Sequence, residues 1–393
     1  MSFLAVSALL LLLSVASRAE SARESPESAE HALPRADSVE SVESVESDVT
    51  VWLLKYNYTQ YVYSELTTHV LALRPGGKYV DDLDVDKRRV SFTYKLPLPA
   101  FNMAIGHLGR LVVLMHTAKM TTLDLSRRQL STRDFPFPNV TMGVHGLAVD
   151  LTSEHTTCAW LAYSDNNTYQ NAIVCADDVH DTPLVCSNPG IGSLIVSYAI
   201  WKDDGSIYEL TPLGYIVKHR ISSRIPSPFI PRCAEYVRTK YMNYGAFYAP
   251  SRAWLSYDQT RIFLSNGLTV ATSSDLNIDL QIGRALNGTW ESLFIHWMDQ
   301  EKKDPYHEIL AMQRIPDPSS WQQWRLVINR FSWPYLRAEA EPVSIPTPTN
   351  LGINPFAFGG QIHFHGGPKA AIAIVNYSDS NGLYTPGIAY IKL

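Results

Sequence analysis

The sequence predicts an all-β fold: a β-propeller of six or seven blades behind a signal peptide and a disordered acidic linker. Three observations lead there. From Val51 onward, short runs of β-branched and aromatic residues alternate with turn residues. One stretch recurs near the end of the chain at a spacing that suits four-stranded units. Extended helical periodicity is scarce.

The first 19 residues read as a secretory leader, with an apolar run through Leu9 to Leu13 and small residues at Ser17 and Ala19 where a peptidase cuts. That run is too short to span a bilayer, and no later stretch reaches about 18 uninterrupted apolar residues, so a soluble, secreted chain without a membrane span is expected. Residues 20–48 are rich in Glu, Ser, Ala and Pro and end in three copies of Ser-Val-Glu from Ser38 to Glu46. A period of three matches neither helix nor strand, so this segment reads as a disordered acidic spacer; removal as a propeptide near Arg35 is the alternative.

Residues 49–393 are then the propeller domain. Its expected strands include Val51 to Tyr58, Arg110 to Met115, Ala159 to Tyr163, Ser193 to Trp201, Arg261 to Leu264, Ile362 to His365 and Ala371 to Tyr377. Asp204-Gly205 between two such runs is a hairpin signal. Asp317 to Val327 is the best helical candidate, as one short helix or a loop. The repeat pairs Ala162-Tyr163-Ser164-Asp165-Asn166-Asn167 with Asn376-Tyr377-Ser378-Asp379-Ser380-Asn381, each a strand, a polar turn and a second strand. The tyrosines lie 214 residues apart, which four units of about 50 residues span. Radial closure would let the strand near Val51 pair with the last blade near Ile391. Two sandwiches would need a central linker, and the Pro-rich stretches at Pro226 to Pro231 and Pro342 to Pro348 are short enough to be loops.

Composition bounds the function. With 46% hydrophobic residues, 9 Trp, 21 Tyr and 13 Phe, a large core is available. A formal charge of −5 and a pI near 6.2 leave no electrostatic footprint for nucleic acid. Four cysteines, Cys158, Cys175, Cys186 and Cys233, favour two disulfides in an oxidising compartment. Three connectivities are open; Cys158–Cys175 with Cys186–Cys233 is preferred because the first pair flanks a hairpin. Asn-x-Ser/Thr sequons at Asn57, Asn139, Asn166, Asn287 and Asn376 imply exposed positions and a glycan coat.

Gly109-Arg110-Leu111-Val112-Val113-Leu114, Thr122-Leu123-Asp124-Leu125, Gly146-Leu147-Ala148-Val149-Asp150, Cys158, Tyr163-Ser164-Asp165, Ile173-Val174 and Asp177 follow one another in an order that resembles the yellow and major royal jelly protein family. Gly245-Ala246-Phe247-Tyr248-Ala249-Pro250, Arg261-Ile262-Phe263-Leu264-Ser265 and Val270-Ala271-Thr272 are similar to its middle blades. The resemblance covers residues 82–276 and implies a secreted six-bladed propeller, with small amines bound in the central cavity in some members and pigment chemistry in others. The Gly-Leu-Ala-Val-Asp strand also resembles blades of calcium-dependent lactonases and NHL-type propellers.

Candidate sites follow from residue chemistry. His363 and His365 alternate on one strand and share a face, a spacing that holds a transition metal only when a third ligand arrives; none is identifiable, so no metal and no cofactor is expected. His145 stands before the Gly-Leu-Ala-Val-Asp strand, where lactonase-like propellers carry Asn; it is a poor calcium ligand, its ordinary role is that of a turn histidine without function, and a general base is the sharper reading. Asp165 and Asp379 head the repeated turns, where an Asx hydrogen bond is their ordinary role. Tyr236, Tyr241, Tyr244, Phe247 and Tyr248, with Trp297, Trp321 and Trp324 later, can stack on sugars or hold cationic amines, or simply fill gaps between blades; Tyr244, Phe247 and Tyr248 are the ligand-binding candidates. No nucleophile elbow, His-Glu-x-x-His or dinucleotide fingerprint is present. The expected function is binding of an amine-like small molecule or a glycan; the alternative is an extracellular lactonase, isomerase or pigment-pathway tautomerase using His145, His363 and His365. A protein that docks partners on the flat face of the propeller is the third reading.

Overall fold

In a computed structural model, the described residues are 49–105, 110–115, 119–134, 144–149, 156–165, 168–177, 184–188, 198–211, 213–221, 234–241, 250–286, 295–301, 308–317, 320–339, 341–347, 356–378 and 384–393. The leader and acidic spacer, with Tyr244, Phe247, Tyr248, Cys233, Asn139, Asn166, Asn287 and Asp379, lie outside them.

Among the described residues the strands form seven antiparallel sheets, six of them built wholly from neighbours in sequence. The first comprises β2 (Gln60–Ser64), β3 (His69–Leu73), β4 (Tyr79–Asp84) and β5 (Arg89–Lys95), and the second β6 (Ala100–Ile105), β7 (Arg110–Met115), β8 (Lys119–Asp124) and β9 (Gln129–Asp134). The third holds β10 (Val144–Val149), β11 (Thr156–Asp165), β12 (Thr168–Asp177) and β13 (Leu184–Asn188), and the fourth β14 (Tyr198–Trp201), β15 (Ser206–Leu210), β16 (Tyr215–Ile221) and β17 (Ala234–Tyr241). The fifth has β18 (Ala253–Leu255), β19 (Arg261–Leu264) and β20 (Thr269–Ala271); the sixth has β21 (Ile295–Gln300), β22 (Ile309–Asp317), β23 (Ser320–Phe331) and β24 (Val343–Ser344). The seventh joins β25 (Phe356–Phe364), β26 (Ala370–Ser378) and β27 (Tyr384–Lys392) to β1 (Val49–Leu53).

That last pairing closes the ring. Val49 stands opposite Ile391 and Val51 opposite Ala389, so the start of the domain completes its final sheet and protects an edge that would otherwise invite association. The recurring sequence segments occupy equivalent places: Tyr163 lies in the second strand of the third sheet and Tyr377 in the second strand of the seventh, four sheets on. Six blades, the number implied by the yellow-family resemblance, is one fewer than the number of sheets.

Apolar layers fill the spaces between successive sheets. Leu71, Leu73, Tyr94, Leu111 and Leu123 join the first and second sheets; Trp52, Tyr63, Val70, Leu83, Ile372 and Ile388 join the seventh and first. Each fully buried aliphatic side chain contributes roughly 1.5–3 kcal/mol relative to exposure. Because middle strands are packed on both faces, their sequences read as continuous apolar runs instead of alternating ones. This bears on the segment expected to be a short helix or a loop: Asp317 ends β22 and Ser320 to Val327 lie in β23, which pairs with both β22 and β24 and buries Leu326, Val327 and Ile328 in succession. The Asp204-Gly205 hairpin forms as expected, with Gly205 at φ 79° and the Lys202 amide donating to the Ser206 carbonyl at 2.8 Å. The first strand stops at Leu53, leaving Tyr56 and Tyr58 in the connector to β2.

Two buried polar knots accompany this packing. Asp81, wholly buried, accepts hydrogen bonds from Tyr58 Oη (2.7 Å), Arg74 Nε (2.7 Å) and Nη2 (2.8 Å), and Thr93 Oγ1 (2.6 Å). Between the fourth and fifth sheets, the buried Lys218 ammonium sits 3.2 Å from Asp279 and donates to the Ser273 carbonyl, while Tyr208 Oη and the Ser273 amide donate to Asp279.

Candidate functional site

The first strand of each sheet lies on the inner side of the ring. These strands neighbour one another in sequence order, and side chains stitch several of the joints. Gln60 on β2 donates to the Asn102 side chain and the Met103 carbonyl of β6, and accepts from the Met103 amide. Gln361 on β25 donates to the Tyr61 carbonyl of β2 at 2.8 Å. The Phe364 amide donates to Asp299 Oδ2 of β21 at 2.8 Å, and the Tyr257 amide donates to Gln300 Oε1 at 2.7 Å.

At the meeting of β2, β21 and β25 a half-buried group of rings and carboxylates gathers. Tyr63 stacks on His363, with centroids 4.9 Å apart and planes at 22°. Trp297 meets the other side of the group edge-on, 5.8 Å from His363, and Trp254 follows it at 6.0 Å. The Arg252 guanidinium lies 5.3 Å from the Trp297 centroid, a cation–π geometry, and donates to the His296 carbonyl. Asp299 Oδ2 is 4.0 Å from His363 Nδ1, the two side chains being 22% and 13% exposed.

Strand alternation places these groups. His363 shares a face with Gln361 and His365, while Ile362 and Phe364 point into the layer between the sixth and seventh sheets. The Gln361 amide nitrogen is committed to a carbonyl, so its Oε1 faces His363 Nε2 at 3.2 Å and that nitrogen is the donor. Nδ1 is thereby turned toward Asp299. A bulge between Phe358 and Gln361 sets this register, and Gly360 makes it possible: a Cβ there would collide with the Ile374 carbonyl. Beyond the strand, His365 Nδ1 lies 3.2 Å from Tyr63 Oη and Nε2 lies 2.9 Å from Asp86 Oδ1.

Burial, then the negative charges of Asp299, Glu65 and Asp86, pushes the Tyr63 phenol well above its ordinary value, so it remains a protonated donor. Burial, reinforced by Arg252 and Arg314, drives His296 from 6.5 down to about 4, so this histidine is neutral near pH 7. The arrangement combines aromatic faces, a carboxylate and an imidazole: it can hold a small cation or exchange a proton, and among the described residues no three His, Cys, Asp or Glu side chains gather to hold a metal.

Of the sequence candidates, His363 and His365 come together here with Trp297; His145 falls within β10, at the bulge between Val144 and Gly146, instead of before the strand, and Tyr244, Phe247 and Tyr248 lie outside the described residues. Tyr236 and Tyr241 are exposed on β17, remote in the sheet order from this group. Tyr63, Asp86 and Asp299 went unread in the sequence; the one signal was Asp299 two residues from Trp297, on the same strand face. The backbone register sets Cys158 on β11 opposite Cys175 on β12, and Cys186 on β13 opposite Ile173 on β12. Asn57 is exposed in the connector before β2, but Asn376 is half-buried in the middle strand β26 with Ser378 of its sequon buried, unlike the exposed position expected.

No family model matches the chain, and no curated protein matches it. Solved structures do. The β-propeller domain of Cps50 (Swd1) from Myceliophteria thermophila superposes with a TM-score of 0.57 at 11% identity, over 88% of this chain and 99% of that one. A streptogramin B lyase gives 0.53 at 12% identity, over 88% and 97%. A protein of unknown function from Desulfotomaculum acetoxidans DSM 771 gives 0.53 at 10% identity, over 80% and 93%. At such identities the likeness speaks for the fold alone, and with the seven sheets closed by β1 it makes this chain a β-propeller.

Proposed function

We propose that this is a secreted, glycosylated β-propeller that binds a small amine-like ligand where the inner strands of its first, sixth and seventh sheets meet. The observation that carries the reading is the Asp299 carboxylate set beside the rings of Tyr63, Trp297 and His363 in a half-buried position. An ammonium gains there from a carboxylate in partly desolvated surroundings and from aromatic faces, each worth up to about 2 kcal/mol. A neutral glycan gains only the stacking. The apolar leader supports secretion, exposed Asn57 supports a glycan, and the opposed Cys158 and Cys175 support a disulfide.

Thermal shift with phenethylamine, beside a neutral hexose, tests the reading. Phenethylamine should raise the unfolding temperature, by about 2.7 kcal/mol of stabilisation at a hundredfold excess over Kd, and Asp299→Asn should abolish the effect. An equal shift in that variant, or none in the unmodified protein, refutes it.

A second reading rests on the His363 and Asp299 pair. An imidazole held 4.0 Å from a carboxylate is placed to act as a general base, which makes a propeller isomerase or lyase the enzymatic alternative. Turnover on a candidate substrate that vanishes in His363→Ala and falls in Asp299→Asn would favour it.

A further inference from the structure

We propose that Asp86 and His365 are positioning residues for this site, fixing the polarity of the Tyr63 hydroxyl and, through the Tyr63 ring, the stance of His363. The argument runs from the surface inward. Asp86 stands in the turn between β4 and β5 with its side chain 62% exposed, whereas the His365 side chain it meets is 5% exposed. A carboxylate only accepts, so His365 Nε2, at 2.9 Å, carries the proton. In a neutral imidazole the other nitrogen is then an acceptor, and Tyr63 Oη, 3.2 Å from Nδ1, donates to it. The phenol is thereby tied at its oxygen while its face lies on His363. The Tyr390 ring closes the opposite side of His365, edge-on at 5.7 Å, so the imidazole has little room to turn over.

The chain crosses the joint between the first sheet, which supplies Tyr63 and Asp86, and the seventh, which supplies His363 and His365. A single exposed carboxylate thus governs the hydrogen-bond direction of a buried phenol across the seam at which the ring closes. Its consequence for ligand binding rests on the reading of the ring group as a ligand site; its consequence for the imidazole does not.

The experiment is long-range ¹H–¹⁵N correlation on protein labelled at histidine, which reads the tautomer directly, with His365 assigned by His365→Gln. The expected result is His365 protonated at Nε2 and bare at Nδ1. Asp86→Asn, whose amide can donate, should move the proton to Nδ1 and shift the His363 resonances, and Asp86→Glu should restore both. Phenethylamine affinity should fall about tenfold in Asp86→Asn and recover in Asp86→Glu. A proton on Nδ1 in the unmodified protein, or an Asp86→Asn spectrum with His365 and His363 unchanged, overturns the proposal. Should phenethylamine fail to bind the unmodified protein, the ligand reading falls and the tautomer result alone decides this one.

Discussion

His296 allows a test in which magnitude and sign both follow from the structure. Its imidazole is largely enclosed on β21, with Arg252 and Arg314 nearby, and its pKa falls from 6.5 to about 4, burial being the first cause and the two guanidinium charges the next. The unfolded chain therefore takes up a proton before the folded one as pH falls. Stability from this residue is complete above pH 6.5 and is lost progressively as pH drops toward 4. At 1.36 kcal/mol per pKa unit, moving from pH 8 to pH 4.5 should cost about 2.5 kcal/mol. Asp84, Asp124 and Asp204 have depressed pKa values, so their contribution is present above 3.8 and lost below it; at pH 4.5 it is largely intact. Urea unfolding followed by tryptophan fluorescence at pH 8 and pH 4.5, at fixed ionic strength, compares the unmodified protein with His296→Asn. The unmodified protein should lose about 2.5 kcal/mol more than the variant. Equal losses would show that His296 is not held neutral by its surroundings, and the reasoning would fail.

Asp81→Asn keeps the shape of a buried acceptor but leaves Arg74 without its counter-charge, and should cost about 3 kcal/mol or more in unfolding free energy; a loss below about 1 kcal/mol would mean that Tyr56, whose ring lies 4.3 Å from the Arg74 guanidinium, holds the cation unaided. Direct opposition in an antiparallel ladder brings Cα atoms to about 4.5–5.5 Å, inside the range of a disulfide. Peptide mapping without reduction, on protein expressed into an oxidising compartment, should therefore find Cys158 linked to Cys175, and a Cys158–Cys186 link would contradict the register.

How much of this was legible follows from what each residue has to satisfy. β7 and β19 coincide with the sequence runs Arg110 to Met115 and Arg261 to Leu264, because a short strand bounded by turn residues has few alternatives. The repeat was legible for the same reason: Tyr163 and Tyr377 occupy the same strand of different sheets, each paired with the strand that follows it. β23 was not, since Leu326, Val327 and Ile328 are buried in succession and carry no alternation to count. The site was half legible. His363 and His365 announced a shared face through their spacing, a local property of one strand. Tyr63 and Asp86 lie 302 and 279 residues from their partner His365, and only ring closure brings them together; Asp299, 65 residues from its partner Phe364, comes from the preceding sheet.

Ring closure also explains why the two strongest functional cues of the sequence differ in kind. Histidines at positions two apart say that a face exists but not what stands opposite it, and the opposing residue is set by which sheet happens to be neighbour. Here the neighbour of the last sheet is the first, joined through β1, so Tyr63 and Asp86 reach His363 and His365 from the far end of the domain. A change that loosened the β1 to β27 pairing would therefore be felt at the ring group before it was felt in the middle sheets. Tyr63, His365 and Gln361 all bridge that same seam, and their hydrogen bonds depend on its register.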